Sequence, residues 1–113
     1  MHELSLAQAL IETAENTLKE LPESRIVSMT IEVGQLAGIS IDALEFCMPM
    51  VTKDTAADGC TVTFEEIPGK ATCLECSHPY PMDDFFIPCP ACGSSKRDIL
   101  QGKEFTLKHM EVA

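Results

Sequence analysis

The chain has 113 residues, 45% of them hydrophobic, and a formal charge of −10 from 18 acidic against 8 basic side chains. That length suits one domain, or one domain with a small appended module, and no apolar run reaches the ~20 residues of a membrane-spanning helix. Strong acidity without a basic stripe argues against nucleic acid or anionic membrane as the main partner and favours a protein or a cation.

The first predicted element is a helix. Leu4, Ala7, Ile11, Ala14 and Leu18 recur at spacings of three and four, and Leu10 and Leu21 widen the stripe. Glu3 lies near its start, Lys19 near its end, and Pro22 is expected to stop it. The stripe is too short for a coiled coil, so it faces a core. The opening residues, Met1-His2-Glu3-Leu4-Ser5-Leu6, have no Lys or Arg before the apolar positions. They do not read as a secretory signal, which points to a reducing cytoplasm.

Most histidines at such a position are ordinary surface side chains. Here the Met1 α-amine, the first backbone nitrogens and the His2 imidazole lie within three residues and can close small chelate rings. A nitrogen-rich donor set of this kind suits nickel(II) or copper(II) better than zinc.

Residues 26–33 alternate as a strand, with Val27, Met29, Ile31 and Val33 inward and Ser28, Thr30 and Glu32 outward. Gly34 and Gly38 bracket a loop. Ser40 is placed to cap a second helix carrying Ile41, Leu44, Met48 and Val51, which Pro49 is expected to interrupt or kink. A second strand covers 61–67, with Val62 and Phe64 inward. Residues 98–112 return as strands, with Phe105 and Leu107 on one face and a bulge expected near His109.

Between these strands lie Cys73-Leu-Glu-Cys76 and Cys89-Pro-Ala-Cys92, separated by twelve residues. Each CxxC turn sets two thiolates on one side of a tight loop, and two facing turns give the tetrahedral sulfur cage that zinc prefers. Two disulfides or a redox CxxC are the alternatives, but no thioredoxin-like βαβ pattern surrounds either pair. Pro88, Pro90 and Gly93 fit the sharp turns. A zinc tetrathiolate would add about −2 to the charge.

The fold class that follows is α+β, two helices packed on a small three-stranded sheet with an inserted zinc-ribbon module. The body is residues 1–69 plus 97–113, and the module is 70–96. The module is too short for a core of its own, so metal must hold it together. Cys47 and Cys60 read as packing thiols, His78 and His109 as ordinary histidines, and the six methionines as core filler. Asp83 and Asp84 are solvated charge, because neighbours in an extended loop point apart. No phosphate loop, nucleophile elbow or HExxH element occurs, so no enzymatic activity is expected.

Taken together, Met1-His2-Glu3-Leu4-Ser5-Leu6 leading into a helix, Glu32-Val33-Gly34, the Ala-Asp-Gly-Cys60 turn, the double CxxC and the closing Lys108-His109-Met110-Glu111-Val112 resemble the HypA/HybF family. These are nickel metallochaperones for maturation of nickel–iron hydrogenase, and the resemblance spans essentially the whole chain. It implies that His2 is the required nickel ligand through imidazole and backbone nitrogen. The Met1 amine and the Glu3 backbone nitrogen would complete the site, and the Glu3 side chain would tune it or meet a partner. Cys73, Cys76, Cys89 and Cys92 would hold structural zinc. The implied partners are the GTPase HypB and the hydrogenase large subunit, with urease also served in some bacteria. Some members carry a histidine soon after both cysteine pairs; here His78 follows the first, whereas Gly93-Ser94-Ser95 follows the second. The rival reading is a zinc-ribbon adaptor that binds a protein partner and carries no nickel.

Overall fold

The computed structural model describes residues 2–21 and 23–113. Met1 and Pro22 lie outside them, and with them the expected Met1 ligand and the expected helix stop at Pro22.

Helix α1 spans His2–Thr17 and buries Ala7, Leu10, Ile11 and Ala14. Its end tightens into i→i−3 bonds, with the Leu18 N–H donating to the Glu15 carbonyl at 3.0 Å and the Leu21 N–H to Leu18 at 2.8 Å. That tightening turns Leu21 out of the stripe, and its side chain is exposed, contrary to the sequence expectation.

Strand β1, Ile26–Gly34, buries Ile26, Met29, Ile31 and Val33. Val27, expected inward, is exposed. The reason is a break in alternation: Ile26 and Met29 are both buried yet three apart, and the Ile26 N–H is fixed by the Ala56 carbonyl at 2.9 Å.

Helix α2 spans Ile41–Thr52, and its N-cap is Ser40, in extended conformation. The Ser40 hydroxyl accepts from the Ala43 N–H at 3.2 Å. Pro49 does not end the helix. It lies in the last turn, where its missing N–H costs one intrahelical bond only. α1 and α2 pack together. Strands β2 (Thr61–Ile67), β1 and β6 (Phe105–Val112) form a three-stranded sheet in the order β2-β1-β6. Along β6 the burial rhythm slips where Lys108 and His109 are both exposed, the place where the sequence breaks its alternation.

A second sheet, of order β4-β3-β5, comes from β3 (Lys70–Cys73), β4 (Pro79–Pro81) and β5 (Arg97–Gln101). Both neighbours run antiparallel to β3, pairing Ala71 with Tyr80 on one side and with Ile99 on the other. The chain divides into two compact units, one of Met1–Ile31, Ser40–Glu65 and Thr106–Ala113, the other of Glu32–Ile39 and Glu66–Phe105.

The cysteine-bearing unit therefore takes in more chain than 70–96, and it has an apolar cluster of its own. Leu36, Ala71, Cys73, Tyr80, Met82 and Cys89 are its buried members, with Ile87 and Ile99 packed on them. The expectation of a coreless module fails because Leu36 and Ile99 come from segments outside the module as drawn. Gly69 permits one close approach within this unit: a Cβ there would sit 1.8 Å from the Met82 carbonyl oxygen. The same carbonyl region is tied by the Met82 N–H to Gly69 bond of 2.8 Å.

Candidate metal centre

The two cysteine turns are built alike. In the first, the Cys73 N–H donates to the His78 carbonyl at 2.9 Å and the Ser77 N–H to the Cys73 carbonyl at 3.0 Å. In the second, Cys89 N–H meets the Ser94 carbonyl at 2.9 Å and Gly93 N–H the Cys89 carbonyl at 2.8 Å. The fifth residue of each turn, Ser77 or Gly93, is left-handed.

These turns bring the sulfurs of Cys73, Cys76, Cys89 and Cys92 within 4.8 Å of one another. The pairs Cys73–Cys92 and Cys76–Cys89 are 3.5 and 3.6 Å apart. A tetrahedral ion with metal–sulfur bonds of ~2.3 Å needs sulfurs roughly 3.8 Å apart, a spacing that the set brackets. Cys73 and Cys89 are buried, and Cys76 and Cys92 are exposed, which leaves one side of the cage open to an entering ion.

Backbone N–H groups already point at the sulfurs. The Glu75 N–H donates to Cys73 Sγ at 3.4 Å. The Cys76 N–H is the largest influence on the Cys73 thiol and, against the cost of burial, pulls it down to about 7. At Cys92 the Ser94 N–H acts in the same direction, but a proton shared with Cys73, burial and the remaining sulfurs outweigh it. That thiol is pushed up to about 12. Cys76 also ends up raised, since burial and Cys89 outweigh the N–H of His78. Cys73 is therefore the thiol readiest to ionise, and metal binding must displace the protons that Cys76 and Cys92 hold.

Tyr80 was not singled out by the sequence, although it is the chain's one tyrosine and stands between two prolines. It is buried in the same cluster as Cys73 and Cys89. Burial pushes its phenol up, so it remains a hydroxyl donor. Arg97, on β5, pairs directly with Cys73 on β3 and so faces the same side of the sheet.

At the start of α1, His2 Nε2 lies 3.3 Å from Glu3 Oε2. The same oxygen accepts a hydrogen bond from the Ser40 N–H at 3.3 Å. Glu3 thereby completes the α2 cap from another helix, the part an N3 glutamate plays in a capping box; position N3 of α2 is Ala43. The Ser40 N–H is the main reason that the Glu3 carboxyl is held below its ordinary range. The His2 side chain is 62% exposed. As first-turn residues, His2 and Glu3 have backbone nitrogens with no intrahelical acceptor.

Of the remaining candidates, Cys47 is buried and Cys60 half-buried, and burial raises the Cys60 thiol. His78 is exposed and serves its turn through its carbonyl. Asp84 Oδ1 accepts from the Phe86 N–H at 2.7 Å, a loop-turn bond that leaves the Asp83–Asp84 pair exposed.

Comparison with known proteins agrees along the whole chain. The family model for the hydrogenase/urease nickel-incorporation metallochaperone HypA matches residues 1–112. The hydrogenase maturation factor HypA of Geobacter metallireducens is 37% identical over 112 residues, covering 99% of both chains. That of Geobacter sulfurreducens is 35% identical over the same share. The solution structure of the Ni metallochaperone HypA from Helicobacter pylori superposes with a TM-score of 0.70 at 20% identity, covering 98% of this chain and 97% of that one.

Proposed function

This chain belongs to the HypA family of hydrogenase/urease nickel-incorporation metallochaperones, and we propose that it carries nickel(II) on its N-terminal residues toward a nickel–iron hydrogenase. His2 supplies the required imidazole. The Met1 amine and the backbone nitrogens of His2 and Glu3 complete a nitrogen-rich site. The observation that carries this reading is an exposed imidazole on the first described residue of α1, 3.3 Å from a carboxylate oxygen that already bridges to α2.

Cargo must be released as well as held. The starts of two helices meet at Glu3, and each helix N-terminus carries roughly half a positive charge. That field opposes a cation, and the Glu3 carboxylate offsets it. A weak, exchangeable site is the result, on a surface where ligand exchange is fast.

Cys73, Cys76, Cys89 and Cys92 hold zinc in a structural role. When bound, zinc supplies fixed tetrahedral cross-links without redox chemistry. Four thiolates leave no open position for a reactive water, which favours a carrier over a zinc-dependent enzyme. The partners are proteins, the GTPase HypB and the hydrogenase large subunit, in a reducing cytoplasm. The charge of −10 supports protein partners over nucleic acid. No helix among the described residues is long and apolar enough to cross a membrane.

Metal stoichiometry tests the reading. Purified protein should hold one tight zinc and take up one labile nickel. Zinc alone, with no specific nickel uptake, would favour the adaptor.

A further inference from the structure

Phe86 is 91% exposed, the furthest into solvent of the large apolar side chains among the described residues. Single exposed apolar side chains are ordinary on a surface. What sets Phe86 apart is how firmly its loop is tied between β4 and the second cysteine turn. At the loop's start the Met82 N–H donates to the Gly69 carbonyl at 2.8 Å. Asp84 then accepts twice, through Oδ1 from the Phe86 N–H at 2.7 Å and through its carbonyl from the Ile87 N–H at 3.3 Å. The flanking side chains are held as well. Lys103 Nζ lies 5.8 Å from the centre of the Phe85 ring, and Ile87 packs on the cysteine cluster. Phe86 is thus presented outward from a fixed loop.

The same loop walls a cavity. Pro68, Pro81, Ile87 and Pro90 line, together with Asp83, a space of about 550 Å³. Prolines have a fixed φ, which stiffens the walls. Asp83 and its neighbour Asp84 are both exposed, and neither is in an ion pair among the described residues. An apolar cavity, an outward aromatic ring and two unpaired carboxylates therefore share one short loop.

We propose that this face of the cysteine-bearing unit docks a protein partner through a segment that carries an apolar anchor flanked by lysine or arginine. The anchor enters the proline-walled cavity, the cations meet Asp83 and Asp84, and the adjoining surface of the partner covers Phe86. A cavity and a ring already held in place lose little conformational freedom on docking, which favours affinity. Aromatic side chains at the centre of an interface are its usual hot spots. Charge selects the occupant. A second copy would bring its own Asp83 and Asp84, and a chain charge of −10, against the same carboxylates, and an anionic membrane would be repelled likewise. Every residue involved belongs to the unit of Glu32–Ile39 and Glu66–Phe105, whereas His2 belongs to the other, so docking here does not require nickel.

Short synthetic peptides test the match. Their centres are Arg-Leu-Phe-Arg, Arg-Ser-Ser-Arg and Glu-Leu-Phe-Glu, in identical glycine–serine flanks. Each is titrated into isotope-labelled full chain, zinc-loaded and free of nickel, and followed by amide shifts. The first peptide should move the amides of Gly69, Asp83, Phe86 and Ile87 and bind at least about 10-fold tighter than either control, since only it offers both anchor and cations. Phe86→Ser should weaken that peptide about 5-fold or more. Asp83→Asn combined with Asp84→Asn should do the same and flatten the salt dependence. An asparagine at position 84 still offers Oδ1 to the Phe86 N–H, so this variant removes charge and keeps the loop bond. Zinc content should be unchanged in both variants. Equal binding of the three peptides, shifts that lie away from this face, or variants that bind like wild type would overturn the proposal. So would a concentration-dependent dimer, formed without peptide and lost in Phe86→Ser, because a second copy would then be the occupant.

Discussion

Ser77 and Gly93 occupy the same place in the two cysteine turns. Both are left-handed, with φ of 63° and 77°, and each N–H closes its turn on the carbonyl of the first cysteine of its pair. Glycine takes that conformation without cost, whereas an L-residue with a Cβ is strained by about 1–2 kcal/mol. Ser77→Gly should therefore stabilise the zinc-loaded protein by about 0.5–1 kcal/mol, after the added chain entropy of glycine. Gly93→Val should cost about 2 kcal/mol, since a β-branched residue tolerates the region least. Thermal unfolding of the zinc-loaded variants reads both signs. Equal and small effects at the two positions would contradict the shared geometry.

Proton release should track the unequal thiols. Cys73 is lowered from 9.0 to about 7. Its advantage as a thiolate is fully present above pH 9 and is lost as pH falls through about 7. Cys92 is raised to about 12 and keeps its proton throughout the working range. Zinc uptake should thus release about one proton more at pH 6 than at pH 8, and affinity should fall on acidification. Calorimetry in buffers of different ionisation enthalpy gives the count. A release independent of pH would show that the sulfurs titrate alike.

Removing one zinc ligand should separate the two compact units in stability. Cys92→Ala leaves three thiolates and forfeits much of the about 10–16 kcal/mol that a structural zinc contributes to folding. Amide exchange should accelerate across residues 66–105 and stay slow in α1 and α2, whose buried side chains belong to the other unit. Uniform loss of protection along the chain would argue for a single cooperative body.

Glu3 should behave as a cap for α2. Glu3→Ala leaves the Ser40 N–H without its acceptor, and amide exchange at Ser40 and the first turn of α2 should quicken. Ala43→Glu in that background supplies a carboxylate from position N3, completing a capping box within one helix, and should slow the exchange again. Exchange indifferent to both changes would mean the 3.3 Å bond from Ser40 to Glu3 carries no weight in solution.

Much of this was legible in the sequence, because the strongest signals are local. The CxxC spacing specifies a sulfur cage without knowledge of the fold, and the stripe through Ala7, Ile11 and Ala14 specifies a buried helix face. What escaped depends on pairing between distant segments. Strict alternation puts Val27 inward, and a break next to Ile26 reverses it. A proline inside a helical pattern predicts a break, but Pro49 falls in the last turn of α2, where little of the helix remains to be disturbed. The apolar cluster around the cysteines needs Leu36 and Ile99, which adjoin it only through tertiary contacts. Tyr80 carries no motif, and its place in the cysteine cluster follows from pairing opposite Ala71. The Glu3–Ser40 bond joins residues 37 apart, and the sequence hint, an N-cap serine with alanine at N3, is visible only in retrospect.

The central claim is nickel carriage by the N-terminal residues, and one titration tests it most directly. Nickel is added to zinc-loaded wild type with an authentic N-terminus, to His2→Ala, and to a chain extended by one or two residues before Met1. Extension converts the α-amine, with an ordinary pKa of about 7.7–8.0, into an amide that is a poor donor near neutral pH. The account predicts one nickel per wild-type chain, weakening on acidification as protons compete with the metal for its nitrogen donors. It predicts loss of specific binding in His2→Ala and marked weakening in the extended chain, with zinc content unchanged in all three. Equal nickel affinity across the three proteins would contradict it and leave the zinc-ribbon adaptor as the better description.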